Sequence, residues 1–129
     1  MAKAARRDTT KQITPADPIF AAIATHKRLE RRWLEMTRKR DEAVASGPSE
    51  SEVERASEEG LAAAWLMAET EPTTAAGAGA MLRYLTHDPL YGLWEAFEYG
   101  KAVWLETAFE SLQRGLAKLA RESGQAESA

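Results

Sequence analysis

The sequence contains no cysteine and no long apolar run. Without cysteine the chain can form no disulfide, thiolate zinc site or cysteine nucleophile, and this composition is compatible with a reducing cytosol. The longest run of apolar side chains, residues 61–68, has eight residues, whereas a membrane-spanning helix needs about 20. The N-terminal residues are charged and lack the apolar segment of a secretory signal. We therefore expect a cytoplasmic protein with no membrane partner.

Strand patterns are missing as well, because β-branched residues are few and never alternate with polar ones. Apolar residues instead recur at steps of three and four, which is typical of helices. Asp17 and Pro18 predict the first helix start, since aspartate caps a helix and proline fits its first turn. This helix is expected to end near residue 45, before the turn sequence "SGPSES".

Three further helices are predicted. The second begins at Ser49 or Ser51 and ends before "TEPTT". Its expected inward stripe consists of Val53, Ala56, Gly60, Ala63 or Ala64, and Met67. The third runs from about Thr74 to Leu85, with four residues on one inward face: Ala75, Ala78, Leu82 and Leu85.

A second Asp-Pro pair, at Asp88, predicts the cap of a last helix that ends near Arg121. Whether the third and last helices are separate or form one kinked helix is left open by the sequence. About 30 residues at about 1.5 Å each would make the last helix about 45 Å long. A domain of this size has a radius of gyration of about 14 Å, so one end either projects or packs against a second copy.

These elements predict a single all-α domain over residues 17–122. The expected architecture is a small up-down bundle of three to four helices with a long C-terminal helix. Residues 1–16 are expected to form a flexible basic arm, and residues 123–129 a disordered tail.

The glycine-containing stretch "TEPTTAAGAGAMLRYL", residues 70–85, raises the question of a phosphate-binding loop. A dinucleotide fingerprint needs a third glycine and a preceding strand, and a P-loop needs Lys followed by Ser or Thr. Because both are missing, we interpret Thr73 or Thr74 as a helix cap and Gly77 and Gly79 as clearance for a neighbouring aromatic side chain, Trp33 or Trp104. Anion binding by the N–H groups at the start of this helix is the less favoured alternative.

The two histidines do not predict a metal site. His26 and Glu30 lie four residues apart, but a di-metal bundle needs four carboxylates and Glu-x-x-His pairs. We therefore expect a hydrogen-bonded His26–Glu30 pair at the edge of the core, and His87 in a loop before a helix cap. No catalytic residue, metal or cofactor is predicted, and we expect no enzymatic activity.

Charge is distributed unevenly along the chain. Residues 1–40 carry eleven Lys or Arg and four Asp or Glu, while the rest carries six and sixteen. The first helix holds a candidate patch for an anionic partner: Arg28, Arg31, Arg32, Arg38 and Lys39. Nucleic-acid binding through this helix and the basic arm is the alternative function. Against it stands the sequence pI of about 5.5.

The last helix has more apolar residues than one stripe requires. Its candidate interaction surface consists of six residues: Trp94, Phe97, Trp104, Phe109, Leu112 and Leu116. A wide apolar face on a small helical protein favours self-association. The leading prediction is a small regulatory or structural protein that binds itself as a homodimer, or another protein.

Two segments resemble short bacterial proteins of unknown function, which pair a DPIxxAIxxH opening with a later TxPTTxxGxxAxLxY segment. The resemblance covers about residues 17–85. It implies a helical bundle and a bacterial cytosolic setting, but no activity. The matching positions here are Asp17, Pro18, Ile19, Ala22, Ile23 and His26, then Thr70, Pro72, Thr73, Thr74, Gly77, Ala80, Leu82 and Tyr84.

Overall fold

The computed structural model describes residues 16–42, 47–87 and 102–128. These ranges form four helices and no strand, which confirms the predicted all-α bundle. The helices are α1 (Pro18–Asp41), α2 (Glu50–Glu69), α3 (Ala75–His87) and α4 (Ala102–Ser128). The basic arm, apart from residue 16, and the predicted positions Asp88, Trp94 and Phe97 lie outside the described residues.

Side-chain contacts define the direction of each helix. Glu30 of α1 faces Gly60 of α2, and Arg32 pairs with Glu59 one residue earlier in α2, so these helices run antiparallel. α3 runs parallel to α1, because Asp17 bonds Thr74 near one end and His26 bonds Tyr84 further along both helices.

α4 completes an up-down-up-down order. Trp104 near its start lies against His26, while Ser111 contacts the end of α2 at Ala68. Within the described residues α1 packs on α2 and α3, and α4 packs on the same two helices from the opposite corner.

The core lies between the four helices and combines aliphatic, methionine and aromatic side chains. The predicted stripe of α2 is buried: Val53, Ala56, Gly60, Ala63, Ala64 and Met67.

The predicted inward face of α3 is partly wrong. Ala75 and Leu82 are exposed, whereas Gly77, Met81 and Tyr84 are buried beside Ala78 and Leu85. The helix is rotated so that Tyr84 enters the core, where it meets His26.

Two helix ends differ from expectation. α1 ends at Asp41 with Glu42 as its C-cap, and residues 43–46 lie outside the described ranges. α4 continues to Ser128 rather than ending near Arg121, so the predicted disordered tail is helical up to that residue. Alanine, glutamate and glutamine are good helix formers, and they offset the cost of about 1 kcal/mol for Gly124. His87 is the last residue of α3 rather than part of a loop.

The C-terminal part of α4 extends beyond the bundle. Between residues 104 and 125, Gly115 is the last buried position of this helix, and residues 120–125 are all exposed. Within the described ranges, no helix combines the length and the apolar character needed to cross a bilayer.

Candidate functional site

The corner between α2 and α3 is held by one carboxylate from a distant part of the chain. Asp17 Oδ1 accepts a hydrogen bond from the backbone N–H of Ile19 at 3.1 Å and so caps its own helix, α1. Asp17 Oδ2 accepts from the backbone N–H groups of Thr73 (3.0 Å) and Thr74 (2.9 Å) at the start of α3. The Thr74 hydroxyl also donates to Asp17 Oδ2, at 2.7 Å. Asp17 therefore caps two helices at once.

The two predicted threonines have different roles at this corner. The Thr74 hydroxyl accepts from the backbone N–H of Gly77 at 2.9 Å, which is the N-cap interaction for α3. Thr73 contributes its backbone N–H to Asp17. The helix N-terminus that we considered as an anion site thus holds the protein's own anion.

The electrostatics of Asp17 reflect this arrangement. Burial raises the pKa of the carboxyl, but hydrogen bonds from the Thr74 hydroxyl and from the N–H groups of Ile19, Thr73 and Thr74 outweigh it, so the pKa lies below its ordinary value. The group is therefore a buried carboxylate held ionised by convergent donors.

The clearance prediction for the glycines needs correction. A Cβ at Gly77 would lie 1.9 Å from Asp17 Oδ2 and 2.9 Å from Ile19 Cγ2, so the space is filled by these two side chains and not by Trp33 or Trp104. Gly79 faces open space, with no atom within 4 Å of an added Cβ. Gly77 is small because the capping carboxylate must reach the α3 backbone.

α4 holds the same corner from its other side. The Ser111 hydroxyl donates to the carbonyl of Ala68 at 2.6 Å, and Glu71 pairs with Lys118 at 2.6 Å. A Cβ at Gly115 would lie 2.7 Å from the carbonyl oxygen of the buried Pro72. The corner is thus a packed junction of α1, α3 and α4.

A second polar cluster lies deeper in the bundle. His26 is fully buried, and its Nδ1 is 2.6 Å from the Tyr84 hydroxyl. Its Nε2 is 3.9 Å from Glu30 Oε1, which is beyond hydrogen-bond distance, so Tyr84 rather than Glu30 is the hydrogen-bond partner seen here. The His26 ring also meets Trp104 edge-on, with centroids 5.7 Å apart. The predicted pair lies inside the core rather than at its edge.

A glycine makes room for Glu30 in this cluster. A Cβ at Gly60 would lie 3.0 Å from Glu30 Oε1. Lys27 lies over the Tyr84 ring, 5.5 Å from its centroid. Within the described residues, no three histidine, aspartate or glutamate side chains group as metal ligands would. The cluster joins α1, α3 and α4 by contacts between polar and aromatic groups.

The predicted basic patch on α1 is exposed, and part of it is already paired. Arg38 bonds Glu35 and Glu42, both at 2.5 Å, and Arg32 lies 3.5 Å from Glu59. The remaining three members, Arg28, Arg31 and Lys39, are exposed as well.

The predicted interaction surface on α4 is divided by the fold. Trp104 is 3% exposed and Leu112 is also buried, so both belong to the core of this chain. Phe109 is half-buried, and Leu116 is 49% exposed. Of the four predicted residues that are described, Leu116 is therefore the best placed to reach a partner.

Three residues of the corner and of the His26 cluster were not predicted from the sequence to have a chemical role there: Tyr84, Pro72 and Ser111. Tyr84 and Pro72 appeared only as positions of the sequence pattern that carries the resemblance. Ser111 was not noted at all. A polar residue inside the apolar stripe of α4 was the available signal for Ser111, since a buried hydroxyl needs a partner.

Comparisons with protein-family models, with curated proteins and with solved structures gave no match. Function is therefore inferred from the geometry of this chain.

Proposed function

We propose that this chain is a small non-catalytic bacterial protein of the cytoplasm that acts through protein–protein contacts and associates with a second copy through α4. The observation that carries the proposal is the course of the apolar seam on that helix. The seam follows a spacing of four and three residues: Leu105, Phe109, Leu112, Leu116 and Leu119. Such spacing is typical of helices that pack along one another.

The other helices cover this seam unevenly. Leu105 and Leu112 are buried by the other helices, and Leu119 is still partly covered. Leu116 lies between these covered positions but is 49% exposed. An apolar side chain that its own bundle leaves half exposed offers a partner a surface that the monomer leaves in water.

The polar side chains of the interior favour a non-catalytic role. Asp17 holds two helix starts, and His26 and Tyr84 bond each other inside the core. These residues also belong to the two segments that carry the family resemblance. We interpret that pattern as one that joins α1 to α3.

Nucleic-acid binding is less favoured than self-association because part of the basic patch is neutralised within the chain. Two of the five patch residues, Arg32 and Arg38, already pair with carboxylates of this chain. Such pairs reduce the positive potential that a phosphate backbone would meet.

The test is the solution mass of the full chain by light scattering at about 0.5 M salt, where contacts between exposed charges are screened. We expect two copies for the natural sequence and one copy for Leu116→Glu. Leu82→Glu is the matched control, because Leu82 on α3 is 47% exposed and should leave the mass unchanged. A single copy of the natural sequence, or equal loss in both variants, would remove the α4 proposal.

A further inference from the structure

We infer that the outer surface of the α1–α2 pair binds the same surface of a second copy, in a two-fold contact separate from α4. We call this surface the charged face. It is formed by the exposed residues of α1 and α2 that point away from the core, and the two helices contribute charges of opposite sign.

The α1 half of the charged face is basic. Arg28, Arg31 and Lys39 are exposed, lie on the side of α1 away from the core, and make no ion pair within the described residues. One acidic residue, Glu35, interrupts this half, and it already pairs with Arg38.

The α2 half is acidic. Glu54, Glu58 and Glu69 are exposed on the side of α2 opposite its buried stripe, and none makes an ion pair in the part of the chain that the structure describes. Here a single basic residue, Arg55, interrupts the acidic row. Each half thus contains one residue whose charge is opposite to that of the rest of the half: Glu35 in the basic half and Arg55 in the acidic half.

The register between α1 and α2 shows which residues of the basic half would face which residues of the acidic half in a second copy. Because α1 and α2 are antiparallel, facing residues have numbers that add up to about 90, as Glu30 with Gly60 and Arg32 with Glu59 show. A two-fold axis parallel to the helices would place α1 of one copy over α2 of the other and keep each residue at the same height. The register between copies would then equal the register within one copy.

In that register, charges on α1 of one copy fall opposite charges of the other sign on α2 of the second copy. Arg31 falls opposite Glu58, and the interrupting Glu35 falls opposite the interrupting Arg55. Lys39 falls within one helical turn of Glu54. The one acidic residue of the basic half, Glu35, thus faces the one basic residue of the acidic half, Arg55. Because this match follows from the sequence of one chain, we infer that the partner is a second copy of the same chain.

The other end of the charged face carries Glu69 and an exposed apolar residue, Leu66. Leu66 is the most exposed of the large apolar side chains in the described residues, at 60%. In the same register it falls opposite Ala24 of the second copy, which is exposed and small. The contact would therefore bury an otherwise solvated leucine and enclose the charge pairs on one side.

A polyanion fits this surface less well than a second copy does. Nucleic acid on the basic half would lie beside the acidic half only one helix away, and would be repelled by it. A second copy places the basic half over the acidic half in one contact.

The experiment uses the full chain with Leu116→Glu, so that an α4 contact cannot contribute, at about 0.05 M salt, where charged surfaces attract most strongly. The first variant replaces two basic residues of the α1 half by acidic ones (Arg28→Glu with Arg31→Glu). The second replaces two acidic residues of the α2 half by basic ones (Glu54→Lys with Glu58→Lys). The control reverses two exposed glutamates with the same spacing on α4, Glu106→Lys with Glu110→Lys. Circular dichroism checks that each variant folds.

We expect the Leu116→Glu parent and the control to form two-copy assemblies that dissociate at about 0.5 M salt. Each reversal variant alone should associate at least about tenfold more weakly, and a mixture of the two should form a one-to-one dimer. Folded reversal variants that stay apart when mixed would overturn the inference, as would a single-copy parent at low salt. A parent that binds a short DNA duplex but not itself would also contradict it. The α4 proposal is tested at high salt and is unaffected by these outcomes.

Discussion

The carboxylate of Asp17 accepts two hydrogen bonds from Thr74, which lies 57 positions further along the chain. The backbone N–H donates at 2.9 Å and the hydroxyl at 2.7 Å. The same carboxylate caps α1 through Ile19. One side chain therefore fixes the start of α1 against the start of α3. Because α3 begins next to the corner that α4 also contacts, this link helps to set the relative position of three helices.

Removing the Asp17 carboxylate should cost more than removing an ordinary helix cap. A cap is worth about 0.5–2 kcal/mol, and a buried hydrogen bond to a charged group about 1.5–3 kcal/mol. We expect Asp17→Ala to lower the free energy of unfolding by about 2–4 kcal/mol. The matched control is Ser49→Ala, which removes an exposed cap that serves only α2 and should cost about 1 kcal/mol. Urea unfolding followed by circular dichroism measures both, and equal losses would show that the α3 contacts add nothing.

The lowered pKa of Asp17 predicts a pH dependence with a definite sign. Because the folded pKa lies below the unfolded value of about 3.9, the stabilisation is complete above that value. It is lost as the pH falls through it towards the folded pKa. Asp17→Asn should remove this contribution, so its stability should fall less than that of the natural sequence between about pH 6 and about pH 3. Urea midpoints at the two pH values test this, and parallel losses in both proteins would refute it.

Gly77 and Gly79 should respond in opposite directions to the same substitution. An alanine Cβ at Gly77 would collide with Asp17 and Ile19, so we expect Gly77→Ala to cost at least about 2 kcal/mol. Gly79→Ala meets no atom and improves helix propensity, so it should stabilise by up to about 1 kcal/mol. Thermal unfolding of the two variants provides the comparison, in which each serves as the control for the other. Two variants of equal stability would mean that the Asp17 contact does not constrain α3.

Trp104 is buried against His26, which makes its truncation a test of the core. Large-to-small changes of buried aromatic residues cost about 3–5 kcal/mol, and we expect that range for Trp104→Ala. Leu82→Ala, at an exposed site of α3, should cost about 0.5 kcal/mol or less. Chemical denaturation measures both values. A loss below about 0.5 kcal/mol for Trp104→Ala would instead be typical of a surface position.

Local signals in the sequence predicted the fold well. The Asp-Pro pair located the start of α1, because capping and the geometry of proline act within a few residues. The stripe of α2 was predicted because it follows a regular helical period. The end of α4 was misplaced because a polar terminal segment gives no burial signal, while its helix propensity remains high.

Contacts between distant segments could not be predicted in the same way. The second role of Asp17 depends on Thr73 and Thr74, which only the folded chain brings near it. The choice of Trp33 or Trp104 to fill the space at Gly77 was wrong because size alone suggested an aromatic ring, while the helix start demanded an anion. Tyr84 was missed as the partner of His26 because the rotation of α3 decides which of its residues enter the core.

The most direct test of the proposed function is the mass of the natural chain in solution, measured by light scattering over a dilution series at about 0.5 M salt. We predict two copies at high concentration that dissociate on dilution, and a shift of this equilibrium towards one copy in Leu116→Glu. A single copy at every concentration would contradict self-association through α4.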